Sequence, residues 1–118
     1  MRHGKRKYSI GSSPSHRKSL LRNLAVEVIE HGRIKTTHTK CQAVKPFVEK
    51  LITAAKTDTV ANRRLVFSRL NNKNATNMLF DSVAPKFKDR NGGYTRILKL
   101  ADTRVGDGSK MSFIALVD

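Results

Sequence analysis

The sequence predicts an α+β domain of two layers behind a basic N-terminal arm, in the order helix, strand, three helices and β-hairpin, with the helices packed on one face of a small mixed sheet. Three observations carry this. Apolar residues recur at helical spacing through most of residues 14–83, short stretches at 33–37, 95–100 and 111–117 alternate as half-buried strands do, and residues 1–12 show no apolar period. The division that follows is an arm at 1–12 and one domain at 13–118, with no internal repeat.

Each element has a local cause. Ser13 before Pro14 reads as an N-cap with proline in the first helical position, and Gly32 as the C-cap of a helix of about five turns. Its apolar face is Leu20, Leu21, Leu24, Ala25, Val28 and Ile29. The β-branched stretch Arg33–Thr37 predicts a short strand. Thr39 and Gln42 then have capping-box spacing ahead of the clearest amphipathic stripe in the chain: Val44, Phe47, Val48, Leu51, Ile52 and Ala55. Pro46 lies inside that helix and predicts a kink. Asp58 can cap a third helix ending at Asn71 and Asn72, and a fourth runs from about Asn74 to Val83, weakened by Pro85. Beyond Gly92 and Gly93, two alternating stretches joined through Gly106, Asp107 and Gly108 predict an antiparallel hairpin.

Charge bounds the function. The chain has 118 residues with 24 Lys and Arg against 9 Asp and Glu, a formal charge of +15. Residues 1–26 hold Arg2, Lys5, Arg6, Lys7, Arg17, Lys18 and Arg22 and not one acid. Such a run repels itself until phosphates neutralise it, so the expected partner is a polyanion, with nucleic acid the first candidate. No apolar run reaches the roughly 20 residues that cross a bilayer, and an Arg-rich start with early Gly and Pro, His3, Gly11 and His16 fits an amphipathic transit peptide poorly.

Catalysis finds little to work with. The acids are scattered, and no metalloprotease, nucleophile-elbow or phosphate-loop pattern is present. Cys41 reads as a small buried residue; His38 and Cys41 share a helical face, but with His31 they fall short of a zinc ligand set. The expectation is a non-enzyme with no metal, cofactor or small-molecule substrate. The basic residues carry more. Arg63, Arg64 and Arg69 lie in a stretch with no acid between Asp58 and Asp81, and Tyr94 and Arg96 follow the Gly92–Gly93 turn, where a backbone without side chains can approach a ribose or phosphate and an aromatic can stack. A plain start to a hairpin explains that turn equally well. The adjacent helices joined at Asn71 and Asn72 also leave open a nucleoid or repressor-type DNA-binding protein.

A collinear series of motifs narrows this. Met1-Arg2-His3, Ser15-His16-Arg17, Leu21-Arg22-Asn23-Leu24-Ala25, Ile34-Lys35-Thr36-Thr37, Leu51-Ile52-Thr53, Ala61-Asn62-Arg63-Arg64-Leu65, Gly92-Gly93-Tyr94-Thr95-Arg96-Ile97-Leu98-Lys99 and Leu116-Val117-Asp118 follow in order. The chain resembles, essentially end to end, the bacterial large-subunit ribosomal protein seventeen family. The resemblance implies a structural constituent of the large (50S) subunit that binds 23S ribosomal RNA near the nascent-chain exit, beside other large-subunit proteins in the cytoplasmic ribosome. Residues and resemblance together give as candidate rRNA contacts Arg2, His3, Lys5, Arg6, Lys7, His16, Arg17, Lys18, Arg22, Asn23, Arg63, Arg64, Arg69, Tyr94, Arg96 and Lys99. The chain departs from the family pattern at Pro46, where a basic residue is usual, and at Ser12, where an Arg is common.

Overall fold

A computed structural model describes residues 13–117. It places α1 at Pro14–His31, β1 at Arg33–Thr37, α2 at His38–Ala55, α3 at Val60–Leu70, α4 at Lys73–Met78, β2 at Thr95–Thr103 and β3 at Lys110–Leu116. Between α4 and β2 the chain continues through a π-helical turn, Leu79–Val83, and a 3₁₀ turn, Ala84–Phe87.

The helix ends show why these residues form these elements. The Ser13 hydroxyl accepts the His16 N–H at 3.1 Å, Pro14 follows it, and Gly32 closes α1 at φ 80° while donating to the Val28 carbonyl at 2.8 Å. α2 starts earlier than its capping box predicts. Thr37 ends β1 and begins α2 with no loop between and no side-chain cap, so Thr39 already lies inside the first turn. α2 then runs unbroken through Pro46, which is exposed and leaves the Gln42 carbonyl without its helical donor. Thr59, not Asp58, caps α3 by accepting the Asn62 N–H at 3.1 Å; Asn71 ends it in the left-handed region at φ 51°. Asn72 at once caps α4 by accepting the Ala75 N–H at 2.9 Å. The fourth helix is therefore only six residues long, and the widened π turn after it brings Leu79, Phe80 and Val83 into the core before Pro85 tightens the path.

The α+β class and the element order are as the sequence predicts, but the sheet is antiparallel throughout. Its strand order is β1-β3-β2, with β3 inserted between two edges that both run against it. β1 and β2 point the same way without pairing, so no parallel ladder forms. The distinction matters because parallel sheets are buried on both faces, whereas an antiparallel one can leave a face open. Strand register sorts the two faces. Ile34, Ile114 and Ile97 form a row across the strands on the helix side, while Arg33, Ala115 and Arg96, and next to them Lys35, Phe113 and Leu98, form rows on the other side.

The core lies between the helices and the inner sheet face. Leu24, Val28 and Ile29 of α1 meet Val44, Val48, Leu51 and Ile52 of α2, Val66 and Leu70 of α3, the Leu79–Phe87 turns and Ile114. Cys41 is buried there, its thiol within 3.6 Å of the Ser112 carbonyl, and burial pushes that thiol up to about 11. His38 spends its Nδ1 on the Ser112 hydroxyl at 2.8 Å. Of the three residues weighed as metal ligands, His38 and Cys41 are thus tied to β3.

Candidate nucleic-acid interface

None of the four α-helices has an acidic residue in its first turn, the position where a carboxylate would oppose the positive end of the helix dipole. α1 instead places His16, Arg17 and Lys18 in its opening turns, so dipole and side chains add to one positive field. Further along α1, Arg22 donates from Nε to the Arg69 carbonyl at 3.1 Å. That bond ties α1 to the end of α3 and sets Arg22 and Asn23 on one shallow cleft with Asn71 and Asn72. Lys18 and Arg64 are exposed, Arg17 is half-buried, and none of the three forms an ion pair among the described residues.

Arg63 has a different role from its neighbour. Its Nε and Nη2 grip the Asp58 carboxylate at 2.6 and 2.8 Å, Nη2 reaches Asp81 at 3.1 Å, and the guanidinium lies 4.8 Å from the Phe80 ring centroid. The sequence contrast between an acid-free stretch and its two flanking acids concealed this, because folding brings both acids back onto Arg63. Its charge is committed to clamping α3 onto the Phe80 turn. The clamp holds the Asp58 carboxyl below the usual carboxylate range, chiefly through the Arg63 hydrogen bonds. A carboxyl depressed in the folded state stabilises above its unfolded value of about 4 and loses that contribution as pH falls through the folded value. Arg63→Ala should therefore lower the unfolding temperature at pH 7, with the gap to wild type narrowing as the pH falls below the unfolded carboxylate value of about 4 and Asp58 protonates; an unchanged unfolding temperature at pH 7 would return Arg63 to the free surface.

Tyr94 is also corrected. It is 2% exposed, its ring packs on Phe87 with centroids 5.3 Å apart, and its hydroxyl meets Lys56 Nζ at 3.2 Å and Thr53 Oγ1 at 3.4 Å. No base can stack on a ring so enclosed. Gly92 and Gly93 both take positive φ, 87° and 63°, as the start of the hairpin requires. Arg96 and Lys99 are exposed on β2 but, three residues apart on a strand, stand on opposite faces; Lys99 pairs with Ser112 on the helix side. Arg2, His3, Lys5, Arg6, Lys7 and the departure at Ser12 lie outside the described residues.

The sequence reading missed a cluster on the open face of the sheet. Arg33 and Lys35 of β1 and Arg96 of β2 are exposed around Phe113, and Arg33 lies 5.2 Å from the centre of its ring. The available signal was the alternation of Arg33 and Lys35 within the predicted strand. What only folding adds is the partner strand that sets an aromatic between them.

Among the described residues no group of His, Cys, Asp or Glu is arranged to hold a metal, and no helix is long and apolar enough to cross a membrane. Fold and surface together define a small α+β domain with a strongly basic composition. The chain belongs to the ribosomal protein L17 family, whose model matches residues 20–117. It is 51% identical to the large ribosomal subunit protein bL17 of Flavobacterium johnsoniae, over all of this chain and 72% of that relative. It is 50% identical to the protein of the same name from Persephonella marina, over all of this chain and 96% of the relative, and 49% identical to that of Methylacidiphilum infernorum, over 97% and 86%. Membership makes the chain a structural ribosomal protein and not an enzyme.

Proposed function

We propose that this protein is a structural constituent of the bacterial large ribosomal subunit that binds 23S ribosomal RNA through its basic arm and body, beside other large-subunit proteins near the nascent-chain exit of the cytoplasmic ribosome. The supporting observation is the set of cations that folding leaves without carboxylates: Arg17, Lys18, Arg64, Arg33, Lys35 and Arg96 form no ion pair among the described residues. Within a chain of +15, these charges favour an external polyanion as partner. Phosphate contacts position such a protein, and RNA shape rather than a base code selects its site. A repressor-type reading finds no support, since α4 is too short to serve as a recognition helix.

Reconstitution tests the proposal. Arg17, Lys18 and Arg64 replaced together by Ala should leave thermal unfolding near wild type but give a chain that enters large subunits poorly when it competes with wild type. Equal incorporation would confine RNA binding to other surfaces. A preference for duplex DNA over folded rRNA fragments at equal salt would overturn the reading itself.

A further inference from the structure

The open face of the sheet carries more than charge. In the Ala115 row a methyl group lies between Arg33 and Arg96; in the adjacent row the Phe113 ring stands between Lys35 and Leu98. The small side chain leaves a notch walled by two arginines and closed at one end by the aromatic ring. That notch is part of a groove of about 380 Å³, whose lining also includes Lys86 and none of whose lining side chains is acidic. Leu98, 48% exposed, adds an apolar surface that water solvates poorly.

Phosphate alone does not account for this arrangement. A duplex backbone needs cations, and has no use for an aromatic and an exposed leucine at the centre of the patch. An unpaired nucleotide uses all three parts: its base has a π face for Phe113, its edge enters the groove beside Leu98 with Ala115, 9% exposed, as the floor, and its flanking phosphates meet Arg33, Arg96 and Lys35. Among the described residues no cation here has a carboxylate partner, so the charge complements RNA and would repel a basic protein neighbour.

We infer that the outer sheet face is a stacking platform for one unpaired ribosomal RNA nucleotide, with Phe113 beneath the base, Ala115 as the notch and Arg33 and Arg96 on its phosphates. The inference rests on the rRNA-binding reading above and specifies a surface for it. The Arg33 guanidinium lies 5.2 Å from the centre of the Phe113 ring, so a base stacking on that face turns the guanidinium aside onto a flanking phosphate.

The test uses the full chain and an A-rich RNA hexamer carrying one 2-aminopurine, against a duplex RNA of equal charge. The wild type should quench the 2-aminopurine on binding. Phe113→Leu should weaken hexamer binding by about fivefold or more while leaving duplex binding unchanged, Phe113→Tyr should restore it, and Ala115→Leu, which fills the notch without removing a cation, should abolish the quench. Absence of quenching by the wild type, or equal hexamer affinity for wild type and Phe113→Leu, overturns the platform even where a 23S fragment still binds; the face then serves phosphates or a protein neighbour. Loss of binding to every 23S fragment by the wild type instead overturns the rRNA reading and the platform with it. Where Phe113→Leu folds poorly, the wild-type quench and its loss in Ala115→Leu decide the matter.

Discussion

Raising monovalent salt from about 50 to 200 mM is expected to weaken binding to a 23S rRNA fragment by about 10³- to 10⁴-fold, if some six to eight phosphates are neutralised. Each neutralised phosphate releases condensed counterions, and the release is worth less as bulk salt rises. The cations available for this are distributed along the whole sequence. Arg2, Lys5, Arg6 and Lys7 lie in the arm, Arg17 and Lys18 in the first turns of α1, and Arg33 and Arg96 on the open sheet. Replacing the four arm cations by Ala should reduce the log-log slope by about three units and leave thermal unfolding of the body near its wild-type value. Filter binding or fluorescence titration across the salt range measures both slopes. A wild-type slope near zero would mean that shape and apolar contacts, not charge, hold the complex together.

Leu51→Ala is expected to destabilise the free protein by about 2 to 5 kcal/mol. Leu51 is 2% exposed on the buried face of α2, in the C-terminal third of the helix that packs against α1, α3 and the sheet, so its loss leaves a void that several rigid elements must share. Against a total stability of about 5 to 15 kcal/mol for a domain, such a loss could unfold much of the population at 37 °C. Urea denaturation of the RNA-free chain measures it, and a change below about 1 kcal/mol would mean that the site collapses around the smaller side chain. Phe47, on the same stripe but half-buried, should cost less than a fully buried Phe.

Local signals were legible wherever the physics is local. The Ser13, Pro14 and Gly32 punctuation of α1, the stripe of α2 and the alternation of the strands each depend on residues within a turn or two. Caps were less secure where two candidates stood side by side. Thr59 displaced Asp58 as the α3 cap because Asp58 found a stronger partner in Arg63, and Thr39 lost its role because β1 passes directly into α2. The candidate site was legible as a sum of charge. Its partition was not, since Arg63 and Arg64 are adjacent in sequence yet one is clamped between two carboxylates and the other is exposed with no ion pair among the described residues.

By itself the sequence determined the α+β class, the order of its elements, the strongly basic character and, through its ordered motifs, the family. These follow from periodicity, composition and residue identity, all of which survive without any knowledge of long-range contacts. The tertiary structure alone decided that β3 lies between β1 and β2, that the sheet is antiparallel with one face open, that Tyr94 is core and that Phe113 stands among Lys35, Arg33 and Arg96. The reason is separation along the chain: Arg33, Arg96 and Phe113 come from three strands joined by the helical body and a hairpin, and no local period reports which edge a strand will join.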